Sequence, residues 1–141
     1  MDADVNCSKW TLNPAVVGSS PTGPTTMIFC LVGLLGFSAV FLGAVGTHVL
    51  NLGEGQHSFE VATRYQLIHA LLLLYFAHQL EKRTCWSYRA GACLILLGCV
   101  FFCGGIYAKA FTGNPMWVSL APMGGISFMC AWLCICIRNK C

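Results

Sequence analysis

At 141 residues the chain has room for one domain. Its composition is 57% hydrophobic and only 9% charged, with a mean hydropathy of +0.70, whereas a soluble domain carries about a quarter charged residues; this excludes a water-facing surface large enough to hide the core and points to a bilayer. The net charge of +3 comes from scattered basic residues, which excludes a nucleic-acid-binding patch.

Residues 1–26 differ from all that follows. "NPAVVGSSPTGPTT" sets Pro14, Pro21 and Pro24 among Gly, Ser and Thr with no helical or strand period, and reads as disordered. Asp2, Asp4 and the lack of arginine here exclude a transit peptide. "VGSSPTGP" also matches the translated T-arm of a transfer-RNA gene. The segment is therefore expected to be a gene-model extension, with Met27 as the true start. Native peptides from Asp2 to Thr26 in a mass spectrum would contradict this.

Four uncharged stretches come next: Met27–Thr47, Tyr65–Leu80, Ala90–Ala108 and Met116–Ile137. Each is close to the ~20 residues that cross ~30 Å of hydrocarbon as a helix, the second being the shortest, and none alternates as a barrel strand would. The prediction is an all-α, four-helix transmembrane bundle with helices over 27–48, 58–80, 89–110 and 116–137 and a short basic tail, 138–141. Lys82, Arg83, Arg89, Arg138 and Lys140 outnumber Arg64 and Lys109 on the opposite connectors, so both termini are expected on the cytoplasm-like side. Trp86 and Tyr88 at one interface, with Tyr65, Tyr107 and Trp117 at the other, fit aromatic belts.

Small residues recur at three- and four-residue steps: Gly36, Ala39, Gly43 and Gly46; Thr63, Ala70 and Ala77; Gly91, Gly98 and Gly105; Gly124, Ser127, Ala131 and Cys134. Lipid gives helices little hydrophobic reason to associate, so close backbone approach must do it. The seven-residue spacing implies a left-handed bundle. Gly36, Gly43, Gly46, Gly98, Gly105, Gly124 and Gly125 are accordingly expected to serve helix packing.

His48, Arg64, Tyr65, His69, Tyr107 and Lys109 are expected to share the outer helix ends as a polar cluster or ligand contact. His69 follows Tyr65 by four residues, on the same helix face, and an ionisable group within a membrane segment is a functional hypothesis by default. The simpler role is a neutral histidine that hydrogen-bonds to a carbonyl or a tyrosine hydroxyl and pins the bundle. No acidic residue lies in the uncharged stretches, which counts against proton-coupled transport. Most of the ten cysteines sit in apolar runs and there is no CxxC, so they read as small hydrophobes. The i,i+4 pairs Cys99/Cys103 and Cys130/Cys134 could together hold zinc or an iron–sulfur cluster, but they lack the paired loop motif of structural metal sites and read rather as small packing residues. His48 with His69 lacks the spacing of a haem cradle. No catalytic residue, metal or cofactor is expected.

"GAVGTH" (Gly43–His48), "YQLIHAL" (Tyr65–Leu71), "GGIY" (Gly104–Tyr107) and "APMGGISFMCAW" (Ala121–Trp132) occur in that order. Together they resemble the domain-of-unknown-function 423 family, small four-helix integral membrane proteins that include the transmembrane protein 256 type. The resemblance runs from Met27 to about Ile137 and rests on Gly43, Gly46, His48, Tyr65, His69, Tyr107, Pro122, Gly124 and Gly125. Cys103 or Gly104 stands where the family has serine or another small residue, and Thr47 where it has alanine. It implies the four-helix fold, a start at the first helix, and no established activity. The function expected is a non-enzymatic structural or accessory membrane component. Its partners would be the bilayer and a membrane protein or a second copy. The alternative is a small-molecule or lipid-binding or transport protein that uses the polar cluster.

Overall fold

In the computed structural model, residues 24–50, 52–82 and 85–137 are described. Apart from Pro24, Thr25 and Thr26, the segment expected to be an extension lies outside them, as does the basic tail. The uncharged stretches become four helices: α1 (Pro24–His48), α2 (Gln56–Lys82), α3 (Trp86–Thr112) and α4 (Ala121–Cys136). The first begins ahead of Met27, at Pro24. A proline suits a first helical position, where its missing N–H has no partner to lose.

Turn chemistry fixes the joints. Gly113, at φ +71°, ends α3 in the left-handed conformation that glycine adopts without a Cβ penalty, and its N–H donates to Lys109 O at 2.8 Å. Asn114 then caps a 3-10 turn (Pro115–Leu120) by accepting from Met116 N at 3.0 Å, and this turn runs on into α4. Between α1 and α2 the tie is a side chain: Gln56 Nε2 donates to Gly46 O at 3.0 Å and to Glu60 Oε1 at 3.1 Å. Midway along α3 the helix widens into a π turn (Cys99–Cys103).

The core is built around α2. Its buried residues Phe59, Gln66 and Leu73, then Ala62, His69 and Phe76, then Thr63, Ala70 and Ala77 form three interleaved series of period seven. Such a period keeps one seam turned toward its neighbours. The α1 helix lies along α2, α3 packs on both α2 and α4, and α4 closes over α3. Three helical spans, Thr26–His48, Trp86–Thr112 and Pro115–Cys136, are long and apolar enough to cross a bilayer. The α2 helix is long enough, with 27 residues or roughly 40 Å, but it is not in that apolar set. Its polar residues Thr63, Gln66 and His69 are buried against the other helices, whereas Leu67, Ile68, Leu71 and Leu74 are exposed, so its outward side is apolar and its average polarity misleads.

Aromatic rings fill the hollows left by missing side chains. A Cβ on Gly46 would stand 2.5 Å from the Phe59 ring, one on Gly91 2.5 Å from Phe76, and one on Gly98 2.5 Å from Phe128. Gly105 lies against the Trp117 carbonyl, 2.6 Å from such a Cβ, and Gly124 lies against the Phe102 backbone. Gly43 is in ordinary contact with Thr63. Gly36 and Gly125 differ from the expectation of packing glycines: both are half-buried, but a Cβ on either would meet nothing within 4 Å. Cys99, Cys103 and Cys134 are buried in the core, whereas Cys30, Cys93, Cys130 and Cys136 are exposed. Cys85, which lies outside the apolar runs, is disulfide-bonded.

Candidate functional site

Two polar centres lie inside the bundle, side by side on the buried seam of α2. The first is built on His69, which is 4% exposed. Its Nδ1 is 2.7 Å from the carbonyl of Tyr65, one turn earlier, and Trp132 Nε1 on α4 donates to its Nε2 at 3.3 Å. The indole N–H can only donate, so Nε2 accepts and the proton sits on Nδ1, where it donates to the carbonyl. The ring is thus neutral and both nitrogens are used. It also stacks on Phe128 at a centroid distance of 3.6 Å, and the Tyr65 ring lies 5.9 Å from it and 6.5 Å from Phe128. Phe128 is the same ring that occupies the hollow over Gly98, so the histidine is tied to the packing of α3 on α4.

The second centre is built on Gln66, also 4% exposed and three residues from His69. Its Nε2 donates to Leu35 O at 2.9 Å and to Ser38 Oγ at 2.7 Å, both on α1. Its Oε1 accepts from Tyr107 on α3 at 2.8 Å. One amide therefore joins three helices. Nearby, Cys103 Sγ donates to Ala62 O at 3.4 Å, and Phe59 packs on Tyr107 at 5.0 Å between centroids.

The six residues expected to share a cluster divide among separate places. Tyr65 and His69 are together with Phe128. Tyr107 turns to Gln66 instead, since the register of α3 puts it on the α1 side. Arg64 is 75% exposed and pairs with Glu60 at 3.8 Å, an i,i+4 ion pair of little energetic weight in water. His48 borders one shallow cleft with Thr47 and Gln56, while Lys109 borders another, of about 570 Å³, with Glu54 and Ser58. Gln66, Phe128 and Trp132 were not anticipated. The signal for Gln66 was available, as a carboxamide inside an apolar stretch; the pairing of Trp132 with His69 needed the register of two helices 63 residues apart in sequence. Among the described residues no three His, Cys, Asp or Glu side chains converge as a metal site would require.

Four packed helices, three of them long and apolar enough to cross a bilayer, with internal polar groups that satisfy one another, define a polytopic α-helical membrane protein. The chain matches the family described as protein of unknown function (DUF423) over residues 42–125, and it belongs to that family. It is 34% identical over 101 residues to the UPF0382 inner membrane protein YgdD of Escherichia coli K12, covering 69% of this chain and 76% of that one. To UPF0382 membrane proteins of Staphylococcus epidermidis RP62A and Staphylococcus aureus RF122 it is 33% and 31% identical, in each case over 79% of this chain and 94% of the relative. No solved structure matches it.

Proposed function

We propose that this integral membrane protein acts as a non-enzymatic structural or accessory component, with both chain ends and the α2–α3 connector on the cytoplasm-like side and all four helices crossing the bilayer. One observation carries the reading: the buried histidine, His69, has both ring nitrogens engaged by Tyr65 and Trp132. A general acid or a metal ligand needs a free nitrogen directed at an open space. Here the ring serves as a tie between α2 and α4, and Gln66 does the same for α1, α2 and α3. Arg64 and Lys109 remain at the bundle end as contacts for lipid headgroups or for a membrane-protein partner.

The second reading, binding or transport of a small molecule or lipid at the polar bundle end, draws on the cleft of about 570 Å³ where Lys109 and Glu54 stand on one rim. Native mass spectrometry of the protein ejected directly from its own membrane separates the two. An assembly with another polypeptide, or with further copies, is the outcome expected. A lone protomer carrying one small solute, lost on Lys109→Ala, would overturn the accessory reading and favour the second.

A further inference from the structure

The α1 helix leans on α2 and leaves a cleft on its other side, between α1 and α3. The cleft measures about 340 Å³, within the ~300–1,000 Å³ usual for ligand pockets. Leu31, Leu42, Leu96 and Val100 form its walls, and Ser38, Gln66 and Tyr107 border its floor. The walls are the sides of two apolar spans, so the cleft opens onto hydrocarbon.

The hydrogen-bond inventory of the floor is one-sided. Both N–H groups of Gln66 are spent on Leu35 O and Ser38 Oγ, the hydroxyl hydrogen of Ser38 on Leu35 O at 3.1 Å, and that of Tyr107 on Gln66 Oε1. What remains is lone pairs: a second one on Gln66 Oε1, a second one on Ser38 Oγ and those on Tyr107 Oη. The floor accepts and has nothing left to donate. A ketone, ester or ether oxygen gains nothing there. An ammonium would supply a proton but carries the cost of a charge in hydrocarbon. A neutral hydroxyl fits both conditions.

We propose that this cleft binds a membrane-soluble alcohol, a lipid with a long apolar body and one free hydroxyl. The body lies between Leu31, Leu42, Leu96 and Val100, and the hydroxyl donates to Tyr107 Oη or Gln66 Oε1. The inference goes beyond an accessory role and does not depend on it, since a structural component and a binding protein can both hold such a lipid.

The test uses the full chain in phosphatidylcholine nanodiscs, with a diazirine-bearing long-chain primary alcohol as the probe and peptide mapping of the adducts. Labelling is expected on the α1 and α3 residues that wall the cleft, and excess unlabelled alcohol should displace at least nine-tenths of it while the matched methyl ether leaves it in place. Gly104 borders the cleft, and a Cβ there meets nothing closer than the Cys99 carbonyl at 3.8 Å, so Gly104→Leu fills the space without a clash and should abolish cleft labelling at unchanged melting temperature. Val100→Trp, at a 64% exposed position, serves the same purpose should Gly104→Leu fold poorly. Adducts spread over every lipid-facing helix surface, or persisting in both filled variants, would show that the cleft holds only bulk phospholipid chains and overturn the proposal. Equal displacement by alcohol and methyl ether would refute the hydroxyl assignment.

Discussion

At the residue scale, the two internal polar centres make opposite demands on mutagenesis. Removing His69 leaves the Trp132 N–H without its acceptor and removes a ring stacked on Phe128. A hydrogen bond between membrane helices is worth about 0.6 kcal/mol on average, and the stacking adds roughly 0.5–1.5 kcal/mol. His69→Leu should therefore cost about 1–2 kcal/mol in detergent unfolding, and His69→Gln, whose side-chain oxygen can still accept, visibly less. Equal losses would mean that the hydrogen bond contributes nothing. Gln66→Leu should cost about 2 kcal/mol, because it strands the Tyr107 hydroxyl donor and unties α1 from α2. The triple variant Gln66→Leu, Ser38→Ala, Tyr107→Phe should recover most of that stability, since no polar group is then left wanting. A triple variant no better than the single would contradict the network. His69 was legible in the sequence as an ionisable group in an apolar helix. Its partner was not, because an indole on a later helix announces itself only through register.

At the element scale, packing depends on where each helix has no side chain. The period-seven series Thr63, Ala70, Ala77 and Gly91, Gly98, Gly105 could be read directly, and all six residues are buried. The rings that fill the hollows, Phe59, Phe76 and Phe128, could not be assigned to them from spacing, since phenylalanine in an apolar run faces lipid as readily as a neighbour. Neighbouring glycines on α4 expose the limit best. Gly124 sits on the Phe102 backbone while Gly125 faces open space, although the pair is adjacent in sequence. Gly124→Ala should cost roughly 1–3 kcal/mol by overpacking, whereas Gly125→Ala should be neutral or stabilising by up to about 1 kcal/mol. Thermal melts of the two variants in one detergent provide the comparison; similar losses in both would contradict the packing of α3 on α4. Helix ends were legible to within a few residues. The exceptions have local causes, a proline tolerated at the start of α1 and the 3-10 turn that Asn114 and Pro115 set before α4.

For the whole molecule, the defining feature is a helix whose polar residues turn inward. Thr63, Gln66 and His69 lower the hydropathy of α2, yet each is buried against a neighbour, while Leu67, Ile68, Leu71 and Leu74 are exposed on its other side. Composition alone told which solvent the protein occupies, and uncharged runs told how many helices to expect. The division of the expected polar cluster into two internal ties and scattered end residues was invisible, because it depends on which way each helix turns. The most direct measurement is the sidedness of the two ends of α2. A protease-cleavable tag inserted after Glu54 and another after Lys82, in sealed vesicles of known orientation, should be cut from opposite sides of the membrane. Cleavage of both tags from the same side would mean that α2 does not cross, and the account of four crossing helices would fail.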